Sequence, residues 1–220
     1  MPLKLYFAPG ACSLVPHIAL ELIGQPFDAQ LVKMHKGEHR SPEFLAINPA
    51  GQVPVLQDGD AAITQIIAIT LHLEAQHPQA GLFPQEALAR TRALETLAWL
   101  NNTVHTTFNR VFKPDAVVED AAMQTAVREK ARQAYAAQMQ QLQDKVVTAR
   151  AAGHDFLNGA APGVVDAYAL TVIRWAQLAS LEPEQQWPQL WDYAERVAAH
   201  PAVQRAMERE RSGLRAKPLV

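Results

Sequence analysis

The sequence predicts two structural units in series, a small α/β domain followed by an all-helical domain, within a chain of 220 residues. In the first part, short β-branched and aromatic runs alternate with amphipathic stretches, a pattern typical of a sheet covered by helices. After the turn-forming segment 77–81, Ala, Leu, Gln and charged residues recur at helical spacing with hardly a strand signal. We therefore assign residues 1–78 to the α/β domain, 79–86 to a linker and 87–220 to the helical domain.

The α/β domain is predicted to follow the order β-α-β and then β-β-α. Its elements are apolar runs that end at Gly, at Pro or at a polar turn. Asp58-Gly59 is the turn of a hairpin, and Thr64 is placed to cap the helix that follows it. The predicted elements are strands over 3–7 and 27–33, a helix from Cys12 or Ser13 to Gly24, a loop over 34–42 followed by a short helical turn, a hairpin beginning near Pro54, and a helix over 65–76.

The second domain is predicted to consist of amphipathic helices around one buried helix. Apolar residues recur about every 3.6 positions over 86–112 and again over 127–146. The block 164–181 is apolar nearly all round, which indicates a helix buried on every side. Gly163 and Asp166 form half of a capping box, in which the carboxylate accepts the N–H of the cap residue. Two shorter helices follow, over 190–199 and 201–211.

Composition and charge exclude several classes of protein. With 49% hydrophobic and 19% charged residues, the chain is an ordinary globular protein and not a disordered one. A net charge of −2 and a pI near 6.4 leave no basic excess for nucleic acid or an anionic membrane. No apolar run approaches the ~20 residues that span a bilayer, and the N-terminus lacks a signal-peptide pattern, so the cytoplasm is the expected location. The single cysteine, Cys12, excludes an intramolecular disulfide.

The most informative short segment is Asn48-Pro49-Ala50-Gly51-Gln52-Val53-Pro54-Val55-Leu56. Proline cannot donate to a strand ladder and is confined to edges, bulges or strand starts, so Pro54 marks an unusual position. A cis Val53–Pro54 bond would turn the N–H and C=O of Val53 toward a ligand. A helix N-terminus, which attracts anions, follows at about Gln65. The segment therefore predicts a peptide-binding edge beside an anion-accepting helix end.

Three motifs occur in a characteristic order along the chain. They are Pro9-Gly10-Ala11-Cys12-Ser13-Leu14, the segment 48–56, and Asp166-Ala167-Tyr168-Ala169-Leu170 followed by Arg174-Trp175-Ala176. Together they resemble the glutathione transferase superfamily, in particular its bacterial beta class, over essentially the whole chain. The resemblance implies a thioredoxin-like N-terminal domain that binds glutathione, a helical domain that holds a small hydrophobic electrophile, a homodimer, and no metal.

The resemblance also implies roles for individual residues near the sulfur of glutathione. Cys12 takes the place of the beta-class cysteine, and Ser13 that of the hydroxyl donor of neighbouring classes. A thiol at the first turn of a helix is expected to have a lowered pKa, because it lies at the positive end of the dipole. His105 matches the beta-class histidine, and Asn101 and Phe108 are placed to line the same cleft. Each has a structural alternative: a buried apolar cysteine, a serine N-cap and a packed histidine.

Other positions are implied to contact the peptide part of glutathione. Val53 is expected to pair its backbone with the cysteinyl unit, a geometry that needs a cis bond to Pro54. Gln52 lies in the position that lines the ligand. Lys36 is either the cation for the glycyl carboxylate or an ordinary exposed loop lysine.

Gln65-Ile66 departs from the family pattern, which has an acidic or amide residue followed by Ser, Thr or Gly. The carbonyl of Gln65 can accept a hydrogen bond from the γ-glutamyl ammonium, but it supplies no charge. Ile66 keeps a backbone N–H for the carboxylate, lacks a hydroxyl, and is expected to crowd the site with its branched side chain. Losing one or two hydrogen bonds to charged groups, each worth roughly 1.5 to 3 kcal/mol, weakens binding about ten- to several-hundred-fold.

The sequence thus favours a glutathione transferase that conjugates the glutathione thiolate to an electrophile through thiol activation and proximity. Two alternatives stay open. One is a reductase or thiol transferase in which Cys12 forms a mixed disulfide with glutathione. The other is a non-catalytic ligand-binding or scaffold protein of the same fold, a reading supported mainly by Ile66.

Overall fold

The computed structural model describes residues 3–216, and its N-terminal part contains a four-stranded sheet. The strand order is β2-β1-β3-β4; β1 runs parallel to β2 and antiparallel to β3, and β4 runs antiparallel to β3. The hairpin turn lies where it was predicted, with Gly59 at φ 58, a left-handed conformation that glycine adopts readily. The strands are β1 (Leu3–Phe7), β2 (Phe27–Leu31), β3 (Val55–Asp58) and β4 (Ala61–Thr64).

Helices cover this sheet and form the rest of the described chain. The long helix predicted over 86–112 is present as two α-helices joined by a π-helical turn at Leu100–Val104. None of the helices between residues 3 and 216 has both the length and the apolar character to cross a bilayer. The helices are α1 (Leu14–Ile23), α2 (Pro42–Ile47), α3 (Ile66–Gln76), α4 (Ala87–Trp99), α5 (His105–Phe112), α6 (Ala121–Ala151), α7 (Val164–Leu178), α8 (Pro183–Gln186), α9 (Pro188–Ala198) and α10 (Pro201–Arg209).

Two helices begin later than the sequence predicts. Thr64 is the last residue of β4 and does not cap α3, whose N-cap is Gln65. The difference arises because the backbone turns at Gln65 through φ 70, a conformation that residues other than glycine rarely adopt. At the other site, α1 begins at Leu14, so Cys12 and Ser13 lie in the turn that precedes the helix.

The centre of the helical domain is α7, which is buried from Val164 through Ala176 as predicted. Its start shows the predicted half capping box, because the carboxylate of Asp166 accepts the N–H of Gly163 at 2.9 Å. A side chain at position 163 would overlap the amide of Asn158, which explains the glycine at the cap. The core around α7 is continuous with the core under the sheet, since α1 packs against both α7 and α10.

Candidate active site

The loop between β1 and α1 faces the segment around Val53. The Sγ atom of Cys12 lies 3.7 Å from the carbonyl oxygen of Val53. The Val53–Pro54 bond is cis, as predicted. The N–H of Val53 makes no hydrogen bond to any of the residues described by the structure, 3–216. The structure therefore brings Cys12, Val53 and Pro54 together, with the carbonyl of Val53 in contact with the thiol and its N–H without a partner among the described residues.

The thiol of Cys12 is not acidic in this environment. Burial raises the pKa of Cys12 to about 12, although hydrogen bonding to the N–H groups of Cys12 and Ser13 opposes the shift. The expectation of a lowered pKa is wrong, because desolvation outweighs the favourable dipoles at the start of α1. Cys12 is accordingly a neutral thiol that donates to the carbonyl of Val53 at physiological pH.

The side chain of Ser13 stabilises the loop between β1 and α1. Its hydroxyl donates to the carbonyl of Ala8 and accepts the N–H of Ala8, both at 3.1 Å, and the residue is fully buried. Ser13 occupies the N-cap position of α1, as the structural alternative predicted, but its side chain makes no capping hydrogen bond. The structure keeps this hydroxyl inside the β1–α1 loop and does not present it to the surface near Val53.

His105 packs from α5 against α7. Its Nδ1 atom lies 2.7 Å from the hydroxyl oxygen of Tyr168, and its ring centroid lies 4.8 Å from that of Trp175. The indole N–H of Trp175 donates to the carbonyl of Gly10 at 2.9 Å, which connects the aromatic side chains around His105 to the loop that contains Cys12. Burial raises the pKa of Tyr168, and ionisation of the nearby Cys12 would raise it further. Cys12, His105 and Tyr168 therefore surround one region of the structure.

Two further residues lie around His105: one accepts a hydrogen bond and the other packs as a buried aromatic ring. Asn101, on the π-helical turn, is partly buried and accepts the hydroxyl of Tyr168 at 3.1 Å. Phe108 is buried and stacks on Trp175 with a distance of 4.7 Å between ring centroids, so it packs against the indole that contacts His105. The contact between Tyr168 and His105 was not predicted from the sequence, because the residues are 63 positions apart and no local pattern links them.

The imidazole of His105 is neutral in the folded protein, because burial lowers the pKa of His105 to about 4. We expect this residue to make the protein less stable as the pH falls from 6.5 to about 4. The unfolded chain binds the proton at the ordinary pKa of 6.5 and the folded chain only near 4, so acid favours unfolding within that window. At about 1.4 kcal/mol per pKa unit, the loss is about 3 kcal/mol and is complete below pH 4.

Urea unfolding of the wild type and of His105→Gln across this pH window checks the prediction. The variant should lose about 3 kcal/mol less than the wild type between the two pH limits. Parallel curves for the two proteins would show that His105 does not titrate in this way.

The other predicted ligand residues are Gln52, Lys36 and Gln65. Gln52 is exposed, and its carbonyl accepts the side-chain amide of Asn48 at 2.7 Å. Lys36 is exposed at the end of a short 3-10 turn. Gln65 makes no side-chain capping bond, so its amide is not engaged by the helix that it precedes. In residues 3–216, no three His, Cys, Asp or Glu side chains gather as a ligand set for a metal.

The side chain of Ile66 does not crowd this site. The residue is 4% exposed and belongs to the main hydrophobic core. The predicted crowding is wrong because the backbone turn at Gln65 lets the first residue of α3 point inward. The N–H of Ile66 still lies in the first turn of α3, where the helix itself provides no acceptor.

Comparison with known proteins identifies the family. Residues 1–75 match the model described as the glutathione S-transferase N-terminal domain, and residues 100–201 match that of the C-terminal domain. Glutathione S-transferase GstA of Escherichia coli O157:H7 is 30% identical over 94% of this chain and 98% of its own.

Solved structures agree with this result. A sphingomonad glutathione S-transferase complexed with glutathione has 31% identity and a TM-score of 0.78, and covers 94% of this chain and 98% of its own. A bacterial beta-class enzyme from Sphingomonas chungbukensis has 30% identity and a TM-score of 0.79 at the same coverage. The chain therefore belongs to the glutathione S-transferase family of enzymes, and beta-class members are among its structural neighbours.

Proposed function

We propose that the protein conjugates the thiolate of glutathione to a small hydrophobic electrophile. The observation that carries the proposal is the position of Val53 relative to the N-terminus of α3. Val55 pairs with Thr64, so Val53-Pro54 and Gln65-Ile66 leave the hairpin side by side. A tripeptide with two carboxylates fits this arrangement, because an extended backbone can pair with Val53 while a carboxylate takes the free N–H groups of α3.

The relatives support glutathione as this tripeptide. The sphingomonad enzyme, which shares the fold over nearly its whole length, was solved with glutathione bound. In our proposal Val53 pairs with the cysteinyl unit, Pro54 holds the cis geometry and Gln52 lines the ligand. In the same proposal Lys36 binds the glycyl carboxylate, and Gln65 with Ile66 binds the γ-glutamyl group. With no charge at Gln65 and no hydroxyl at Ile66, affinity for glutathione is weaker than a glutamate-serine pair would provide.

The chemical step is attack of the glutathione sulfur on an electrophilic carbon, with the leaving group departing with its electron pair. The thiol proton goes to solvent. Transfer of a proton from a thiol with an ordinary pKa near 8.5 to an imidazole of pKa about 4 would cost about 6 kcal/mol. His105 therefore acts as a hydrogen-bonding group beside the sulfur, and proximity supplies most of the acceleration.

Cys12 contributes through position in this mechanism. Because burial raises the pKa of Cys12 to about 12, it does not supply a thiolate for a mixed disulfide near pH 7. Its contact with the carbonyl of Val53 steadies the edge that binds the peptide. Ser13 acts indirectly, by shaping the loop that carries Cys12.

Retention on immobilised glutathione, elution by free glutathione, and turnover of a chlorodinitrobenzene-type electrophile test the function. We expect retention and turnover in the wild type, and turnover that survives Cys12→Ala. Retention without turnover would favour the scaffold alternative. Turnover abolished by Cys12→Ala, with thiol transfer in the wild type, would favour the Cys12-dependent reaction. Absence of both retention and turnover would contradict the proposal.

We also propose a cytoplasmic homodimer with the domain division 1–78, 79–86 and 87–220. Family resemblance supports the dimer, and light scattering should then give about twice the chain mass of 24.2 kDa. A monomeric mass would contradict it.

We expect Gln65→Gly to stabilise the protein and weaken glutathione binding. A residue other than glycine held at φ 70 stores about 1 to 3 kcal/mol, part of which glycine relieves. Loss of the amide that faces the ammonium costs about ten- to a hundredfold in affinity. Urea unfolding and calorimetry with glutathione measure the two effects.

The matched control is Gln30→Gly on the exposed strand β2, where glycine should destabilise by about 0.5 to 1 kcal/mol and leave binding unchanged. Equal destabilisation by both glycine variants would contradict strain at Gln65.

A further inference from the structure

We propose that Tyr168 is a positioning residue that fixes the tautomer of His105, keeping the proton on Nδ1 and leaving Nε2 as the acceptor for the thiol of glutathione. The role of the acceptor rests on the proposed function. The tautomer is a property of the free protein and can be measured without glutathione.

The hydrogen-bond chain around Tyr168 sets the direction of each proton. The amide nitrogen of Asn101 donates to the side-chain oxygen of Asn102 at 2.8 Å, so the amide oxygen of Asn101 faces Tyr168. A carbonyl oxygen can only accept, and the single hydroxyl hydrogen of Tyr168 is therefore directed to Asn101 at 3.1 Å. Toward His105, 2.7 Å away, the oxygen of Tyr168 has only lone pairs to offer. Nδ1 of His105 must then carry the hydrogen.

A neutral imidazole carries one proton, so Nε2 has a free lone pair when Nδ1 is protonated. Burial lowers the pKa of His105 to about 4, which keeps the ring in this neutral form at physiological pH. The ring is also held in orientation by edge contacts with Tyr168 and Trp175, at centroid distances of 6.1 and 4.8 Å. Tyr168 thus determines both the tautomer and part of the orientation.

The opposite tautomer is disfavoured by the same geometry. It would place a lone pair on Nδ1 against the lone pairs of Tyr168 at 2.7 Å, while Nε2 became a donor. Two lone pairs that face each other without a hydrogen shift the equilibrium between the tautomers of His105 by at least about tenfold toward protonated Nδ1. A donor at Nε2 could not accept the thiol hydrogen of glutathione, so the acceptor role depends on Tyr168.

Nitrogen-15 NMR of histidine-labelled protein at pH 7, without glutathione, reads the tautomer directly. The signals of His105 are assigned by their loss in His105→Gln. We expect a protonated Nδ1 and an unprotonated Nε2 in the wild type, and a change to predominantly protonated Nε2 in Tyr168→Phe, which removes the acceptor. The control is Tyr135→Phe, which removes a buried hydroxyl that donates to Val172 and makes no hydrogen bond to His105.

Variants of the partly buried Asn101 test the same inference without removing a core side chain. Asn101→Ala releases the hydroxyl hydrogen of Tyr168, which can then donate to Nδ1, so Nε2 should become protonated. Asn101→Asp preserves an acceptor and should keep the wild-type signals. A protonated Nε2 in the wild type would overturn the proposal. Unchanged signals in folded Tyr168→Phe, or in Asn101→Ala, would overturn it too.

Turnover measurements separate this inference from the proposed function. We expect Tyr168→Phe to move the pH profile of kcat for a chlorodinitrobenzene-type electrophile to lower pH, because a donor at Nε2 stabilises the thiolate whereas the wild-type acceptor stabilises the thiol. Tyr135→Phe should leave this profile unchanged. An unchanged pH profile together with the altered tautomer would overturn the positioning role. The expected NMR changes with no turnover in any variant or in the wild type would uphold the tautomer assignment and contradict the proposed function.

Discussion

Asp166→Asn is expected to lower the free energy of unfolding by roughly 3 to 6 kcal/mol, because the amide nitrogen faces at least one backbone N–H that the carboxylate accepts and the substitution removes the charge that strengthens the other hydrogen bonds. Asp166 is fully buried at the start of α7 and accepts hydrogen bonds with both oxygens. The donors are the N–H groups of Leu157 at 2.8 Å, Asn158 at 3.2 Å and Gly163 at 2.9 Å, and the hydroxyl of Tyr193 at 2.6 Å. The substitution preserves volume, so the loss measures hydrogen bonding and charge. Urea unfolding at 25 °C is the measurement.

Asp120→Asn is the matched control. Asp120 is an exposed N-cap of α6 and accepts the N–H of Met123 at 2.8 Å. Asp and Asn are about equally good at an exposed N-cap, so this change should cost less than about 0.5 kcal/mol. A domain is stable by only about 5 to 15 kcal/mol, so the loss at Asp166 is a large fraction of the total. Similar urea midpoints for the two variants would contradict the importance of the buried carboxylate.

The half capping box at Asp166 shows which features were predictable from the sequence. Gly163 and Asp166 are three residues apart, so their contact depends on local geometry that a short motif can encode. The hairpin turn at Gly59 and the cis bond before Pro54 are local in the same sense. The long helices were also predictable from their periodicity in the sequence, but the π-helical turn at Leu100–Val104 within one of them was not.

Properties set by packing between distant segments were not predictable. The pKa of Cys12 depends on desolvation by surrounding elements, whereas the sequence shows only the adjacent helix start. The hydroxyl of Ser13 is occupied by Ala8, and the side chain of Ile66 is in the core. Orientation of this kind follows from a tertiary contact or from a backbone turn such as that at Gln65. No spacing rule in one sequence specifies it.

Gly10 shows how both domains determine the geometry near Cys12. Its carbonyl accepts the indole N–H of Trp175 on α7, at 2.9 Å. Its N–H donates to the carboxylate of Glu210, just after α10, at 3.1 Å. Gly10 has φ 72, a backbone conformation that suits glycine. The β1–α1 loop is therefore held from two sides by the helical domain, and its shape depends on the docking of that domain.

Glu210→Gln is therefore expected to loosen the β1–α1 loop and to lower the free energy of unfolding by roughly 3 to 5 kcal/mol. Glu210 is buried, and its second oxygen lies 2.9 Å from Nδ1 of His17. Arg174 is only 4% exposed; burial lowers the pKa of its guanidinium and the charge of Glu210 opposes this shift. A neutral glutamine leaves that buried cation without its counter-charge. The amide nitrogen of the glutamine also replaces one of the two carboxylate oxygens, so either His17 or the N–H of Gly10 loses its acceptor.

Glu184→Gln provides the comparison for Glu210→Gln. Glu184 pairs with Arg215 at 2.7 Å on the surface, where both side chains are about half or more exposed. An exposed pair contributes at most about 1 kcal/mol, and added salt screens it further. We expect the effect of Glu210→Gln in urea unfolding to persist at high salt, and hydrogen exchange at Gly10 to become faster. Equal effects of the two variants, with unchanged exchange at Gly10, would show that the buried carboxylate does not hold the loop.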